Sequence, residues 1–490
     1  MAKETLKKKK PKPAISKKYL RPRWKFLSQD WRGTLYIEQH SVAELAKKFG
    51  TPLYILVERE IRENLREFKL AFPYSRLRPQ YAGKINSNIE IMQICRQEGF
   101  ELDASSAGEI VLGLLADFSP SQITLTNLYK SEQDLLFATK LGLKAITADS
   151  IEELERMARV GKRAGMKIKT FIRVNPAIKY GNYSTMEHQY GIPYSTAKKA
   201  ISFAVKNKHL DLIGLHFHGA YIEDGKIYTI AAQKLLNLAK YAHDLGARIR
   251  YIDLGGGFPF DYGNKEFFKP QDMGPQFIAD FEKMLAKLGL PKPFLIFEPG
   301  KVITANAGVG LVEVISNKKI GKKNIAVTDG STYSFLPDPM IYHQYYDILP
   351  ATKMNKPRTH SYIIAGRSCD SIDKLGINRW LPKLEEDDLL AIMDSGAYSN
   401  VLSSNFNTLK RAPMVLIKMD GSLKLIRRRD RYSEMFAPEL DVLKAAAPKE
   451  MRELYNLYRV NFSKFWGTGG ANGSKKHGKG LEVADKVQQK

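Results

Sequence analysis

The sequence predicts an α/β chain: a (β/α)8 barrel followed by a mostly antiparallel β domain. Three observations carry this. Short apolar runs alternate about eight times with segments of helical period between residues 50 and 310. Polar and glycine residues collect just past the ends of those runs. After residue 310 the helical segments give way to short strand-like runs separated by turns.

The candidate barrel strands end in Tyr81–Lys84, Glu101–Ser105, Ile123–Thr126, Ala145–Asp149, Phe171–Asn175, Gly214–His218, Ile252–Gly256 and Ile296–Gly300. Helical periods run through Ser150–Ala164, Ser195–Lys206 and Ile230–Leu245. Eight such units in about 250 residues match the size of a closed barrel; a doubly wound open sheet is the competing architecture. A barrel builds its site at the strand C-termini. Lys84, Asp103, Asn175, His218, Gly255–Gly257 and Glu298 all stand there.

The domain reading follows. Residues 1–30 form a basic, disordered tail. Residues 31–48 supply a strand segment, Thr34–Ile37, that joins the β domain. Residues 49–310 make the barrel and 311–435 the β domain. The latter carries strand-like runs at Leu311–Ser316, Ile325–Thr328, Tyr362–Ala365, Leu389–Met393 and Met414–Lys418. Residues 436–490 read as a helical extension and a Gly/Lys/Ser-rich flexible tail.

The 490 residues, 43% apolar, suffice for two cores. The net charge is +25, and residues 1–24 alone supply +9 of it. Such a run reads as a solvated tail; an arm touching nucleic acid or an acidic surface is the alternative. No zinc-ligand spacing or RNA-binding signature accompanies it. No apolar run reaches the roughly 18 residues of a membrane span, and no signal-peptide core is present. Two cysteines, Cys95 and Cys369, are too few for a disulfide framework. A reducing, cytoplasmic setting is expected.

Several residue types point to chemistry, each against a plainer reading. Lys84 in Tyr81–Asn88 ends the first barrel strand, where desolvation would lower its pKa and make it nucleophilic; otherwise it is a surface lysine. Gly255, Gly256 and Gly257 follow a strand and let backbone N–H groups approach an anion, or they simply make a tight turn. Glu298 can hold a protonated ring nitrogen of a cofactor, or pair with Lys301. His216 and His218 alternate, so one should face the interior, as a packed residue or stacked on a planar cofactor. With no further ligand at supporting spacing, no metal is expected there. Cys369, beside Asp370 and Asp373, can donate a proton or pack as a small hydrophobe. Tyr398 offers a phenol to a phosphate, or belongs to the core.

Six ordered motifs lift these readings. They are Tyr81–Asn88, Asp103–Glu109, Gly214–His218, Asp253–Phe258, Glu298–Gly300 with Ala305–Gly308, and Cys369–Asp373 followed by Gly396–Asn407. Together, over residues 35 to 430, they resemble the fold-type-III pyridoxal-phosphate decarboxylases, the family of diaminopimelate, ornithine and arginine decarboxylases. The resemblance implies an alanine-racemase-like barrel, a C-terminal β domain and a homodimer with active sites at the subunit interface. It implies that Lys84 carries pyridoxal 5′-phosphate as a Schiff base and that His218 stacks on the ring. Gly255, Gly256, Gly257, Gly300 and Tyr398 would hold the phosphate, and Glu298 the ring nitrogen. Cys369 of the partner subunit would return a proton after CO2 leaves. Asp370, Lys301 and Tyr342 would meet the amino-acid substrate.

The implied reaction is decarboxylation of a diamino acid, with meso-diaminopimelate to L-lysine the first expectation. Ornithine, lysine, arginine or a modified amino acid is the alternative, and a racemase or non-catalytic relative the second. Ser403–Asn407 resembles the diaminopimelate branch; Cys369-Asp370 and Tyr333-Ser-Phe335 resemble the ornithine branch. The sequence also departs from the family. Lys301 replaces an arginine and is a point charge, not a fork. An Arg-Pro expected before Tyr342 reads Asp338-Pro339. Gly219-Ala-Tyr221 and Gln189-Tyr-Gly191 replace the usual Ile-Gly-Ser and Lys-Phe-Gly.

Overall fold

The computed structural model describes residues 24–263 and 267–446, with the side chains of 443–446 excepted. The basic arm before Trp24 and the tail after Ala446 lie outside the described residues.

Eight parallel strands form the barrel: β1 (Gln80–Ala82), β2 (Glu101–Ala104), β3 (Ile123–Thr126), β4 (Ala145–Ala148), β5 (Ile168–Asn175), β6 (Leu210–His216), β7 (Tyr251–Asp253) and β8 (Phe294–Ile296). Each pairs in parallel with the next. The seam closes where Arg78 and Gln80 N–H groups donate to the Leu295 and Phe297 carbonyls, each at 2.8 Å. All eight strands are those the apolar runs predicted, and closure decides for the barrel over the open sheet.

The connecting helices start and stop on local chemistry. The helix Ile151–Ala164 begins where the Ser150 hydroxyl accepts the Glu153 N–H. It ends on Gly165, whose left-handed backbone releases the chain back toward the barrel. Its one-sided burial of Leu154, Met157, Ala158 and Val160 is the predicted stripe.

The second sheet is mostly antiparallel. It contains Gly308–Ile320, Lys323–Thr328, His360–Ala365, Lys374–Leu381, Leu389–Met393 and Met414–Ile417, with Ile348–Pro350 and Leu423–Arg427 at its borders. Two of its pairings are parallel. Its middle holds a strand from before the barrel. Leu53–Val57 lies between Gly308–Leu311 on one side and Met414–Ile417 on the other. The sequence reading put residues 49–57 in the barrel segment. An all-apolar run buried on both faces has no alternation to tell the two sheets apart.

The N-terminal segment differs too. Leu35–Ile37 pairs with Leu27–Gln29 and His40–Ser41 in a small sheet of its own. It shares a core with Leu53, Leu311 and Met393 rather than extending their sheet. Residues 24–30, assigned to the tail, are anchored. Trp24 is 2% exposed, and its indole N–H donates to the Asp394 carboxylate at 2.9 Å. No described helix is long and apolar enough to cross a membrane.

Candidate active site

β1 ends at Ala82, and the chain turns into one tight helical turn, Gly83–Ile85, which carries Lys84. Strand register sets Ala82 beside Asp103. The Lys84 ammonium therefore reaches Asp103 Oδ2 at 3.1 Å. Lys84 keeps 35% of its side chain exposed, toward a cavity, whereas Asp103 is buried and its Oδ1 has no partner. Burial pulls the lysine pKa down, but Asp103 and Glu298 outweigh it and hold the ammonium above its ordinary value. This reverses the direction expected from burial alone. The Asp103 carboxyl is pushed up to about 7 by burial and by Glu298, against Lys84.

Glu298 stands just past β8, buried. His216, the last residue of β6, brings Nε2 to 3.2 Å from Glu298 Oε1. His218 Nδ1 lies 3.8 Å from Oε2. Burial lowers the pKa of both imidazoles, so both are neutral. Neutral His216 then donates from Nε2, and its Nδ1 is left without a partner. Burial pushes Glu298 up, but His216, Lys84 and His218 prevail and hold it at about 2. Both histidines line the cavity. The alternation argument allowed only one; it fails because β6 ends at His216, and Phe217 and His218 are no longer pleated.

Asp253, at the end of β7, joins this group. Its ligand atoms and those of His216 and Glu298 lie within 4.8 Å of one another. The sequence search for metal ligands missed this cluster, because its members come from three strands. Burial and the neighbouring Glu298 push the Asp253 carboxyl well above the usual carboxylate range. Asp253 Oδ1 also accepts the Gly255 N–H at 2.9 Å.

The glycine turn sits directly behind His218. Gly256 N–H donates to His218 Nδ1 at 2.9 Å, which fixes the imidazole with its proton on Nε2. Gly255 and Gly257 have φ of +64° and +96°, and a Cβ on Gly257 would lie 2.1 Å from the Ala220 carbonyl. The Gly255 and Gly256 N–H groups are thus engaged within the protein. Among the described residues, no acceptor meets the Gly257 N–H.

One cavity of about 490 Å³ gathers Lys84, Asp103, His216, His218 and Glu298. Arg173 and Tyr190 also line it, the guanidinium 4.0 Å from the ring centre. Its rim is the loop Asn127–Tyr129. Beneath that loop, fully buried Lys130 is tied to Asn127 and to Glu153, each at 3.0 Å.

The other expected residues fall in two groups. Gly300, Lys301 and Tyr398 lie beside the cavity. A Cβ on Gly300 would strike Ile85, the neighbour of Lys84, at 2.3 Å. The Tyr398 N–H donates to the Ile85 carbonyl at 2.9 Å, and Lys301 Nζ lies 5.3 Å from the Tyr398 ring centre. Tyr342 is 50% exposed, its ring 6.4 Å from that of Tyr221. Cys369 and Asp370, by contrast, are not among the residues lining the cavity of their own chain. Cys369 is exposed, and its N–H donates to Asn407. Asp370 accepts the Tyr333 hydroxyl, which holds its carboxyl below the usual range. Asp103, His216, Asp253, Arg173 and Tyr190 were not chosen from sequence as site residues. Asp103, His216 and Asp253 lay at strand ends inside the ordered motifs and Tyr190 inside Gln189-Tyr-Gly191, whereas Arg173 had only its place near the end of β5.

The donor set suits pyridoxal phosphate. It offers an amine, a neutral imidazole and an ionised buried acid around one cavity, with an unengaged N–H at the glycine turn. The volume lies in the range of small-molecule sites, about 300–1,000 Å³. Comparison with known proteins agrees. Residues 58–305 match the family described as the pyridoxal-dependent decarboxylase, pyridoxal binding domain. The diaminopimelate decarboxylase of Archaeoglobus fulgidus is 31% identical over 409 residues, spanning 82% of this chain and 96% of that protein. The Aquifex aeolicus diaminopimelate decarboxylase is 31% identical over 418 residues, 84% of this chain and 96% of that one. The crystal structure of the M. jannaschii diaminopimelate decarboxylase in complex with L-lysine superposes with a TM-score of 0.80 at 27% identity, covering 85% of this chain and 98% of that one. The chain belongs to the pyridoxal-dependent decarboxylases, and pyridoxal phosphate is its cofactor.

Proposed function

We propose that this chain decarboxylates meso-diaminopimelate to L-lysine, with Lys84 as the cofactor-bearing amine. The observation that carries the reading is the meeting of Lys84, Asp103, His218 and Glu298 around one cavity at the barrel's strand ends. The names of the relatives choose the substrate, and the L-lysine complex of the M. jannaschii enzyme supports that choice.

When bound, the cofactor supplies an electron sink for the pair left by a departing carboxylate. The protein's own residues do the rest. Lys84 must release a proton before it can bond a carbonyl, and Asp103, poised near neutrality, stands ready to take it. Glu298, ionised, keeps a positive charge on a nearby ring nitrogen. His218, neutral and pinned by Gly256, offers a flat face. Gly257 and Gly300 N–H groups and the Tyr398 hydroxyl hold the phosphate. Lys301, Tyr342 and Asp370 address the substrate.

Cys369 of a second copy completes the site by returning a proton to the carbon that lost CO2. Two features favour such a homodimer. Cys369 is exposed and lies apart from its own cavity lining. Near it Ile372 and Phe406 are exposed apolar side chains, as an uncovered interface presents. The chain would work in the cytoplasm.

The test is CO2 and L-lysine release from meso-diaminopimelate by protein loaded with pyridoxal phosphate. Release from ornithine or arginine but not from diaminopimelate would overturn the substrate. Mixing inactive Lys84→Ala and Cys369→Ala proteins should restore part of the activity through mixed dimers. No recovery despite subunit exchange would place Cys369 outside the partner's site.

A further inference from the structure

Asp253 is the member of the site that the decarboxylation chemistry leaves without a task. It ends β7, and strand register puts His216, the end of β6, directly beside it. On its other side lies Ile296, two residues before Glu298. His216, Asp253 and Glu298 are exposed by only 0%, 1% and 3%. One ligand atom from each lies within 4.8 Å of those of the other two. His216 Nε2 and Glu298 Oε1 are 3.2 Å apart, which is about the spacing of two ligands on one ion with bonds of about 2.0–2.2 Å.

The cluster also lacks a cation of its own. Among the described residues, neither Asp253 nor Glu298 forms an ion pair with a lysine or an arginine, and Glu298 meets only the two histidines. The Lys84 ammonium is bonded to Asp103 instead. Two carboxylates gathered out of water beside imidazoles are costly unless something positive joins them. His216 is free to serve as a ligand. Its Nδ1 is buried and has no partner, so no hydrogen bond from the protein fixes which nitrogen carries the proton. His218 differs, because the Gly256 N–H pins its Nδ1. His216 and Glu298 line the cavity and Asp253 stands behind them, so one side stays open to water or a further ligand. One imidazole and two carboxylates with an open position suit a divalent first-row metal of the zinc kind.

We propose that the cofactor-free chain holds one divalent first-row metal ion between His216, Asp253 and Glu298, and that this ion and the cofactor oppose each other's binding. Both claim Glu298, the ion as a ligand and the cofactor through its protonated ring nitrogen. Two positive charges on one buried carboxylate repel each other. By linkage, whatever factor the cofactor takes from the metal's affinity the metal takes from the cofactor's. Free metal would then govern how readily the chain loads its cofactor. The inference rests on Glu298 meeting the ring nitrogen, and not on which amino acid is decarboxylated.

Co2+ is the probe, because in such a site it absorbs in the visible. It is titrated into two forms of the full chain, one freed of cofactor and one loaded with pyridoxal phosphate and then reduced with borohydride, so that the cofactor stays attached. The cofactor-free form should develop visible bands as it takes up one ion. Asp253→Asn keeps an oxygen for the Gly255 N–H, and it should lose those bands while still trapping pyridoxal phosphate on Lys84 under borohydride. The reduced form should fill the Asp253-dependent site at least about tenfold more weakly, within the usual range of coupling between sites. Absence of bands from the cofactor-free protein overturns the proposal. So does equal Co2+ affinity of the two forms, and both results decide the matter even where the variant does not fold. Bands that survive in Asp253→Asn place the metal elsewhere and overturn it as well. No readout involves turnover, so the diaminopimelate reading stands or falls separately.

Discussion

The Lys84 ammonium lies 3.1 Å from the Asp103 carboxylate, at the ends of adjacent barrel strands. Their charges set when the amine becomes available. In Asp103→Asn, burial acts on Lys84 with less opposition, so the amine loses its proton at lower pH. The pH profile of covalent pyridoxal phosphate capture, read by borohydride trapping on Lys84, should move down by about one unit or more. An unmoved profile would mean that Asp103 does not control this amine.

His216 keeps Glu298 ionised. In His216→Leu, burial of Glu298 meets only Lys84 and His218, and the carboxyl rises from about 2. The acid limb of kcat/KM against pH should shift upward, by about one unit for each 1.4 kcal/mol of lost interaction. A fall in kcat/KM by the same factor at every pH would show a packing defect instead.

Lys130 holds the cavity rim from below. Lys130→Met leaves Glu153 buried with a weaker set of partners, since Arg156 stands 3.8 Å away and partly exposed. Breaking a buried pair from one side costs about 3–5 kcal/mol. Urea unfolding should show a loss near the lower end, because Glu153 still accepts the Lys130 and Asp149 backbone N–H groups. KM should rise as the Asn127–Tyr129 rim loosens. A loss below about 1 kcal/mol would place the pair on the level of surface bridges.

Glu60 is nearly buried and accepts the Asn306 amide at 2.6 Å. Burial, with Glu63 and Glu67 nearby, lifts its carboxyl from 4.5 to about 7. The folded state thus keeps a proton that the unfolded chain has released, and stability falls as pH rises from about 4.5 to 7. Glu60→Gln removes that dependence. It should be more stable than the parent by roughly 2 kcal/mol at pH 8 and nearly equal at pH 4. Equal melting differences at both pH values would refute the assignment.

The barrel was legible because eight buried parallel strands each announce themselves as a short apolar run, six of them with a polar residue or glycine singled out at the end. Lys84, His218 and Glu298 were legible for the same reason. What periodicity does not carry is lateral contact. His216, Asp253 and Glu298 are 37 and 45 residues apart in sequence, yet strand pairing places their ligand atoms within 4.8 Å. Trp24 was lost in a lysine-rich run, although a buried indole tied to Asp394 fixes the chain there.

The strand Leu53–Val57 reaches across the barrel to pair with Gly308–Leu311. During synthesis it must therefore wait, unpaired and wholly apolar, until about 250 further residues have emerged. The barrel is in effect an insert whose two ends are stapled by that pairing. A fragment starting at residue 311 would lack a middle strand and expose two raw edges. Producing the sheet region alone would then require grafting residues 53–57 onto it, or supplying them as a separate peptide.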